Sequence, residues 1–147
     1  RHSFPTRRSS DLTQEKFDRL MHANAMGPMM VLPQLASMLS ECAGTFAVIS
    51  SHFGSLTLTD TSMAVLYRMS KAALNMYIRC AQHDFPGIVC VALHPGWVQT
   101  DMGGPQAPLT PEQSVSSLRQ TLERILTQRA SEHRGAFLNH DGTPLPW

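Results

Sequence analysis

The sequence predicts an α/β protein built on a three-stranded parallel sheet, and three observations predict it. Short apolar runs recur at 45–50 (TFAVIS), 88–93 (IVCVAL) and 135–139 (GAFLN), and the first two read as buried strands. Longer stretches with apolar residues at helical spacing separate them. The resulting order, α–β–α–β–α–β, implies parallel strands joined by right-handed crossovers.

Taken in order, residues 13–40 read as helix. Thr13 is placed to cap it, and Glu15 sits in the first turn, where the helix dipole favours an anion. Phe17, Leu20, Met21, Met29, Met30 and Leu32 supply an apolar face. Pro28 and Pro33 predict a kink or two helical pieces, because an interior proline lacks a donor and crowds the preceding turn. Gly44 ends the segment ahead of the first strand. A Ser/Thr/Gly-rich loop spans 51–62, then a helix 63–84 in which Ala64, Leu66, Ala72, Ala73, Met76 and Ile78 are available to pack. Pro86-Gly87 stops it. The glycine- and proline-rich segment 94–108 is loop. Thr110-Pro111-Glu112-Gln113 combines a capping box with proline at the first helical position. Val115, Leu118, Leu122, Ile125 and Leu126 follow at helical spacing, and Asp141-Gly142 forms a turn after the last strand.

A chain of 147 residues suits one domain or a piece of one. Charged residues make up only 16%, and apolar residues 42%, which argues against disorder. The net charge of +1 offers no basic patch for nucleic acid, and no apolar run is long enough to span a membrane. Cys42, Cys80 and Cys90 lack metal-ligand spacing and read as reduced, mostly buried thiols of a cytoplasmic protein. No metal site is expected from the scattered histidines. Residues 1–12 stand apart: Arg1, Arg7 and Arg8 against Asp11 make them basic, and they show no periodicity. The string His2 to Leu12 resembles translated sequencing adapter, so residues 1–12 are expected to be a non-native leader and 13–147 the credible domain. A first element that is a helix would leave the sheet's leading edge bare, which points to a missing amino-terminal part.

Four groups of residues bear on chemistry. Tyr67 and Lys71 stand four apart and share a helix face. A nearby ammonium favours the phenolate, so this spacing suits proton exchange with a carbonyl or alcohol oxygen. Such pairs are also common as packing plus a solvated charge. Lys71 is one of only two lysines and lies in an alanine-rich stretch. Ser51 follows the first strand, at the strand end where open parallel sheets bind ligands. Ser50 competes with it, and a plain turn serine is the alternative for both. His52, next in line, reads as a turn histidine or as part of a substrate mouth. Pro95, Gly96, Val98 and Thr100 follow the second strand at the same sheet edge, where a plain Pro-Gly turn is the alternative. Asn24 in HANAMGP is by itself a packing feature.

Asn24, Ser51, Tyr67-Arg-Met-Ser-Lys71 and Pro95-Gly96-Trp-Val-Gln-Thr100, in this order, resemble the short-chain dehydrogenase/reductase superfamily. YRMSKAALNM, HPGWVQTDMGGP and DGTPLPW are similar to its C-factor and sniffer-like carbonyl reductase branch. The resemblance implies the carboxyl-terminal half of a Rossmann-type doubly wound sheet and NAD(P)(H)-dependent interconversion of a carbonyl and an alcohol. Tyr67 would be the general acid/base. Lys71 would hold the nicotinamide ribose and lower the tyrosine pKa. Ser51 would polarise the substrate oxygen, and Asn24 would hold a relay water. Pro95, Gly96, Val98 and Thr100 would contact the nicotinamide end of the cofactor, NADP(H) in preference to NAD(H). The family's Gly-x-x-x-Gly-x-Gly turn is absent from these residues, so the chain alone is expected to be inactive. The full-length protein would take a small carbonyl or alcohol substrate and form a homo-oligomer. An extended-branch epimerase is disfavoured by the short stretch after Gly96. A non-enzymatic signalling protein on the same fold is the alternative.

Overall fold

The computed structural model describes residues 12–128 and 131–147, so residues 1–11 of the expected leader lie outside the described residues. Thr13 caps helix α1 (Gln14–Met21), its side chain accepting from Lys16 N–H. One π-helical segment, His22–Met26, leads into α2 (Gly27–Glu41). The break therefore falls ahead of both prolines. Pro28 sits in the first turn of α2, where its missing N–H costs least, and Pro33 is carried inside the helix. Strand β1 is Thr45–Ile49, and α3 is Val65–Asp84. The latter starts two residues later than expected because Ala64 takes a left-handed conformation (φ 58°). Strand β2 is Val89–His94, α4 is Pro111–Gln128 and β3 is Ala136–Asn139. The capping box forms as read: Thr110 N–H donates to Gln113 Oε1 at 2.8 Å, and Gln113 N–H to Thr110 Oγ1 at 3.2 Å.

The strands lie parallel in the order β1-β2-β3, with Ile49 opposite Leu93 and Leu93 opposite Leu138. Strand β2 is buried on both faces. Cys90 and Ala92 join Leu32, Leu74, Ile78 and Phe137 under α2 and α3. Val89, Val91 and Leu93 join Ile125 and Leu138 under α4. Helices thus cover both faces, and this corrects the expected handedness. Stepping twice in one direction across a parallel sheet, with the two crossover helices on opposite faces, gives crossovers of opposite hand. Only one of them is right-handed. The rule rests on a twisted strand feeding its helix directly; here residues 50–64 and 95–110 intervene.

Several apolar residues read as core are exposed. Val115 and Leu126 of α4 face solvent, while Leu118, Leu122 and Ile125 pack. Met29, Met30 and Met76 are also exposed. Helical period places a side chain on a face, but the sheet covers only part of it. Cys42 and Cys80 are exposed free thiols and only Cys90 is buried, which corrects the mostly buried reading. Among the described residues no helix is long and apolar enough to cross a membrane.

Candidate active site

The exits of β1 and β2 lie side by side, and the candidate residues gather there. Ser50 N–H donates to Leu93 C=O at 2.7 Å, extending the ladder one step past Ile49. Ser51, in extended backbone, then caps a single 3-10 turn, His52–Gly54, with its Oγ accepting from Phe53 N–H at 3.2 Å. The Ser51 side chain is also hydrogen-bonded to Tyr67. Tyr67 and Lys71 project from α3 toward this turn. Lys71 Nζ donates to Ile49 C=O at 2.9 Å and lies 5.8 Å from the Tyr67 ring centroid.

Gly54 allows the turn to press against α3. A Cβ there would stand 2.8 Å from the Lys71 carbonyl carbon and 2.9 Å from Asn75 Nδ2. The two serines separate cleanly. Ser50 Oγ donates to Asn75 Oδ1 at 2.5 Å in the buried interior, and Asn75 Nδ2 donates to Gly54 C=O at 3.3 Å. Ser51 alone is turned to the tyrosine.

Burial pushes the Tyr67 hydroxyl above its ordinary pKa of 10.0, against the opposing effect of the Ser51 hydrogen bond. The expected lowering by Lys71 is not what the chain by itself produces. The Lys71 ammonium is directed to the Ile49 carbonyl, and desolvation of the phenolate dominates. Burial likewise lowers the Lys71 pKa.

Asn24 lies in the π-helical segment. Its Nδ2 donates to Ser70 Oγ at 3.0 Å, and Ser70 Oγ donates to Tyr67 C=O at 2.8 Å. The side chain therefore reaches the tyrosine's backbone through Ser70. Pro28 has no N–H, so the usual helical partner of the Asn24 carbonyl is missing. Single π segments of this kind recur at functional sites.

The second strand delivers a self-tied loop. Ser114 Oγ donates to Pro95 C=O at 2.6 Å. Gly96 has φ 84°, and a Cβ there would meet Leu109 Cδ1 at 2.4 Å. Val98 bridges Leu109, and Gly103 N–H donates to Thr100 Oγ1 at 3.2 Å. Pro95, Gly96, Val98 and Thr100 thus lie in one internally bonded loop that follows β2.

The sequence gives no role to four contributors, Gly54, Ser70, Asn75 and Arg68, and places His94 only as the start of the HPGWVQT stretch. Asn75 continues the Tyr67, Lys71 series at helical spacing, which was an available signal. Arg68 stacks 4.1 Å over the Phe53 ring and donates through Nε to Met63 C=O at 2.9 Å, holding the segment before α3. His94 Nε2 lies 3.2 Å from His52 Nδ1, tying the two strand exits together. Among the described residues no group of three His, Cys, Asp or Glu is placed to hold a metal ion.

Comparison with known proteins points to one family. Residues 5–109 match the family model for short chain dehydrogenase. It is 40% identical over 140 residues to C-signal of Myxococcus xanthus, covering 93% of this chain and 82% of that protein. Its fold matches the carbonyl reductase Sniffer of D. melanogaster with a TM-score of 0.88 at 31% identity, covering 95% of this chain and 60% of that one. An NADPH-bound carbonyl reductase from chicken fatty liver matches at a TM-score of 0.85 and 31% identity, covering all of this chain and 64% of that one. The chain thus spans less than two thirds of those two reductases. With this motif order seated on adjoining ends of a parallel sheet, and with a family model matching most of its length, the chain belongs to the short-chain dehydrogenase family.

Proposed function

We propose that residues 13–147 are the catalytic half of an NADP(H)-dependent oxidoreductase that interconverts a small carbonyl compound and its alcohol. The observation that carries this is the Ser51–Tyr67 hydrogen bond set over Lys71 at the ends of two parallel strands. The chain covers 60% and 64% of the two matched reductases, which supports a longer complete protein.

The residues present fit the nicotinamide end of the cofactor. Lys71 Nζ spends one donor on Ile49 C=O and keeps two for ribose hydroxyls. Gly96, whose missing side chain leaves room for Leu109 and His140, lets the loop carrying Pro95, Val98 and Thr100 fold tightly at this sheet edge. When bound, the cofactor supplies the hydride. Tyr67, kept protonated by burial, gives its phenolic proton to the developing alkoxide. Ser51 positions and polarises the same oxygen. Asn24 holds the relay water that reprotonates the tyrosine.

Tyr67→Phe in the complete gene product tests the reading. NADPH-coupled reduction of a ketone and aldehyde panel should fall at least about 100-fold, the low end for a general acid. Retained turnover would overturn it. The 147-residue chain alone should bind NADPH negligibly; a micromolar Kd would refute the half-site reading. The 40% identity to C-signal favours a second reading, a signalling protein on the same fold. In that case Tyr67→Phe leaves the biological phenotype intact. Exposed Met30, Met69 and Met76 on α2 and α3 support self-association of the complete protein.

A further inference from the structure

We infer that His52 is a fixed hydrogen-bond donor beside Ser51 that selects carbonyl substrates carrying a second acceptor oxygen near the reacting one. The inference rests on the reductase reading above and adds a specificity-determining residue to it.

The argument begins at His94, the last residue of β2. Its Nδ1 is buried and has no hydrogen-bond partner among the described residues. An orphaned buried N–H is rarer than an under-satisfied acceptor. The proton of neutral His94 therefore belongs on Nε2. Nε2 lies 3.2 Å from His52 Nδ1, so His94 donates and His52 Nδ1 accepts. That leaves the His52 proton on Nε2. His52 Nε2 has no partner among the described residues and is not among the buried unsatisfied atoms, so it is open to an incoming group.

Neighbouring charges agree with neutral rings. Burial pulls the His94 pKa down to about 4, helped by His52 and by His140 from the end of β3. His52 is lowered by burial and by Arg68, against a smaller opposing effect of Asp60. The rings are also fixed in place. His52 and His94 meet edge to face at 4.7 Å, and His52 meets Phe53 the same way at 4.6 Å. Phe53 in turn stands 6.2 Å from the Tyr67 ring. The donor thus belongs to the turn that Ser51 caps, with its orientation and tautomer set from β2. A carbonyl compound with an ester or second keto oxygen two or three bonds from the reacting carbon satisfies it; a plain ketone leaves it unpaired.

Two measurements test this separately from the reductase reading. Long-range proton–nitrogen NMR of the 147-residue chain reads the tautomers directly. Both rings should be neutral Nε2–H at pH 7; an Nδ1–H signal for either would overturn the inference. In the complete gene product, kcat/KM for ethyl acetoacetate over pentyl methyl ketone should favour the ester about tenfold, the value of one good hydrogen bond. His52→Phe should collapse that ratio toward unity. His52→Gln, whose amide nitrogen falls near the position of Nε2, should keep most of it, and His52→Asn should not. A ratio unchanged in His52→Phe refutes the role of His52 while leaving the reductase standing. No turnover of either ketone by the unmutated protein refutes the reductase reading and the selection role with it.

Discussion

Ser50 and Ser51 are adjacent and chemically identical, yet the structure gives their removal unequal consequences for stability. Ser50 is 2% exposed and its hydroxyl donates to Asn75 Oδ1 at 2.5 Å. Ser50→Ala leaves a buried amide oxygen without its donor, at a cost of about 1–3 kcal/mol. Asn75 also holds Gly54 C=O, so the loss loosens the turn beneath the tyrosine. For a chain of this size each kcal/mol moves Tm by about 2–4 °C. Ser50→Ala should therefore lower Tm by roughly 2–12 °C. Ser51→Ala loses one short-turn cap and the contact with Tyr67, and should lower Tm by less than Ser50→Ala does. Thermal unfolding of the two variants, followed by circular dichroism at matched concentration, decides the matter. If Ser51→Ala is the more destabilising, or Ser50→Ala shifts Tm by under about 1 °C, the assignment of roles to the two hydroxyls is wrong.

Further outcomes follow from the same geometry. Gly54→Ala would push a Cβ to 2.8 Å from the Lys71 carbonyl carbon, against ordinary contacts of 3.4 Å or more, and overpacking of this kind costs about 1–3 kcal/mol. It should lower Tm and speed amide exchange in residues 51–55; native exchange there would refute the close approach. Cys42 and Cys80 are exposed, while burial pushes Cys90 up to about 11. Iodoacetamide at pH 8 should label two thiols in the folded chain and the third only in denaturant, as read by intact mass. His94 is held neutral in the folded state, with its pKa near 4 against an ordinary 6.5. The unfolded chain therefore takes up the proton first, so its contribution to stability is complete above pH 6.5 and is lost as pH falls toward 4. Urea unfolding of the native chain and of His94→Phe should diverge in that window; parallel curves would contradict the burial of a neutral imidazole.

Local chemistry was legible without a fold. The Tyr67–Lys71 spacing puts both side chains on one helix face whatever surrounds the helix, because 3.6 residues per turn is a property of the backbone. The Thr110–Gln113 capping box and the two continuous apolar strands are local in the same sense, and each formed close to its expected limits. The strand-end loops could be assigned to one sheet edge because parallel strands all exit on the same side.

Other features depend on residues distant in sequence, and only the tertiary structure decided them. Which serine turns inward was settled by Asn75, 25 positions along from Ser50. Which apolar helix residues pack was settled by how far the sheet reaches, leaving Val115 and Met76 in solvent. The opposite hands of the two crossovers follow from α3 and α4 lying on opposite faces of β2, which no single segment encodes. The direction of the Tyr67 pKa was decided by desolvation, which outweighed the hydrogen bond from Ser51. Motif spacing acts through the backbone of one helix, so sequence alone determined it. Burial, tautomers and handedness are sums over neighbours from several elements, and they exist only once the chain has packed.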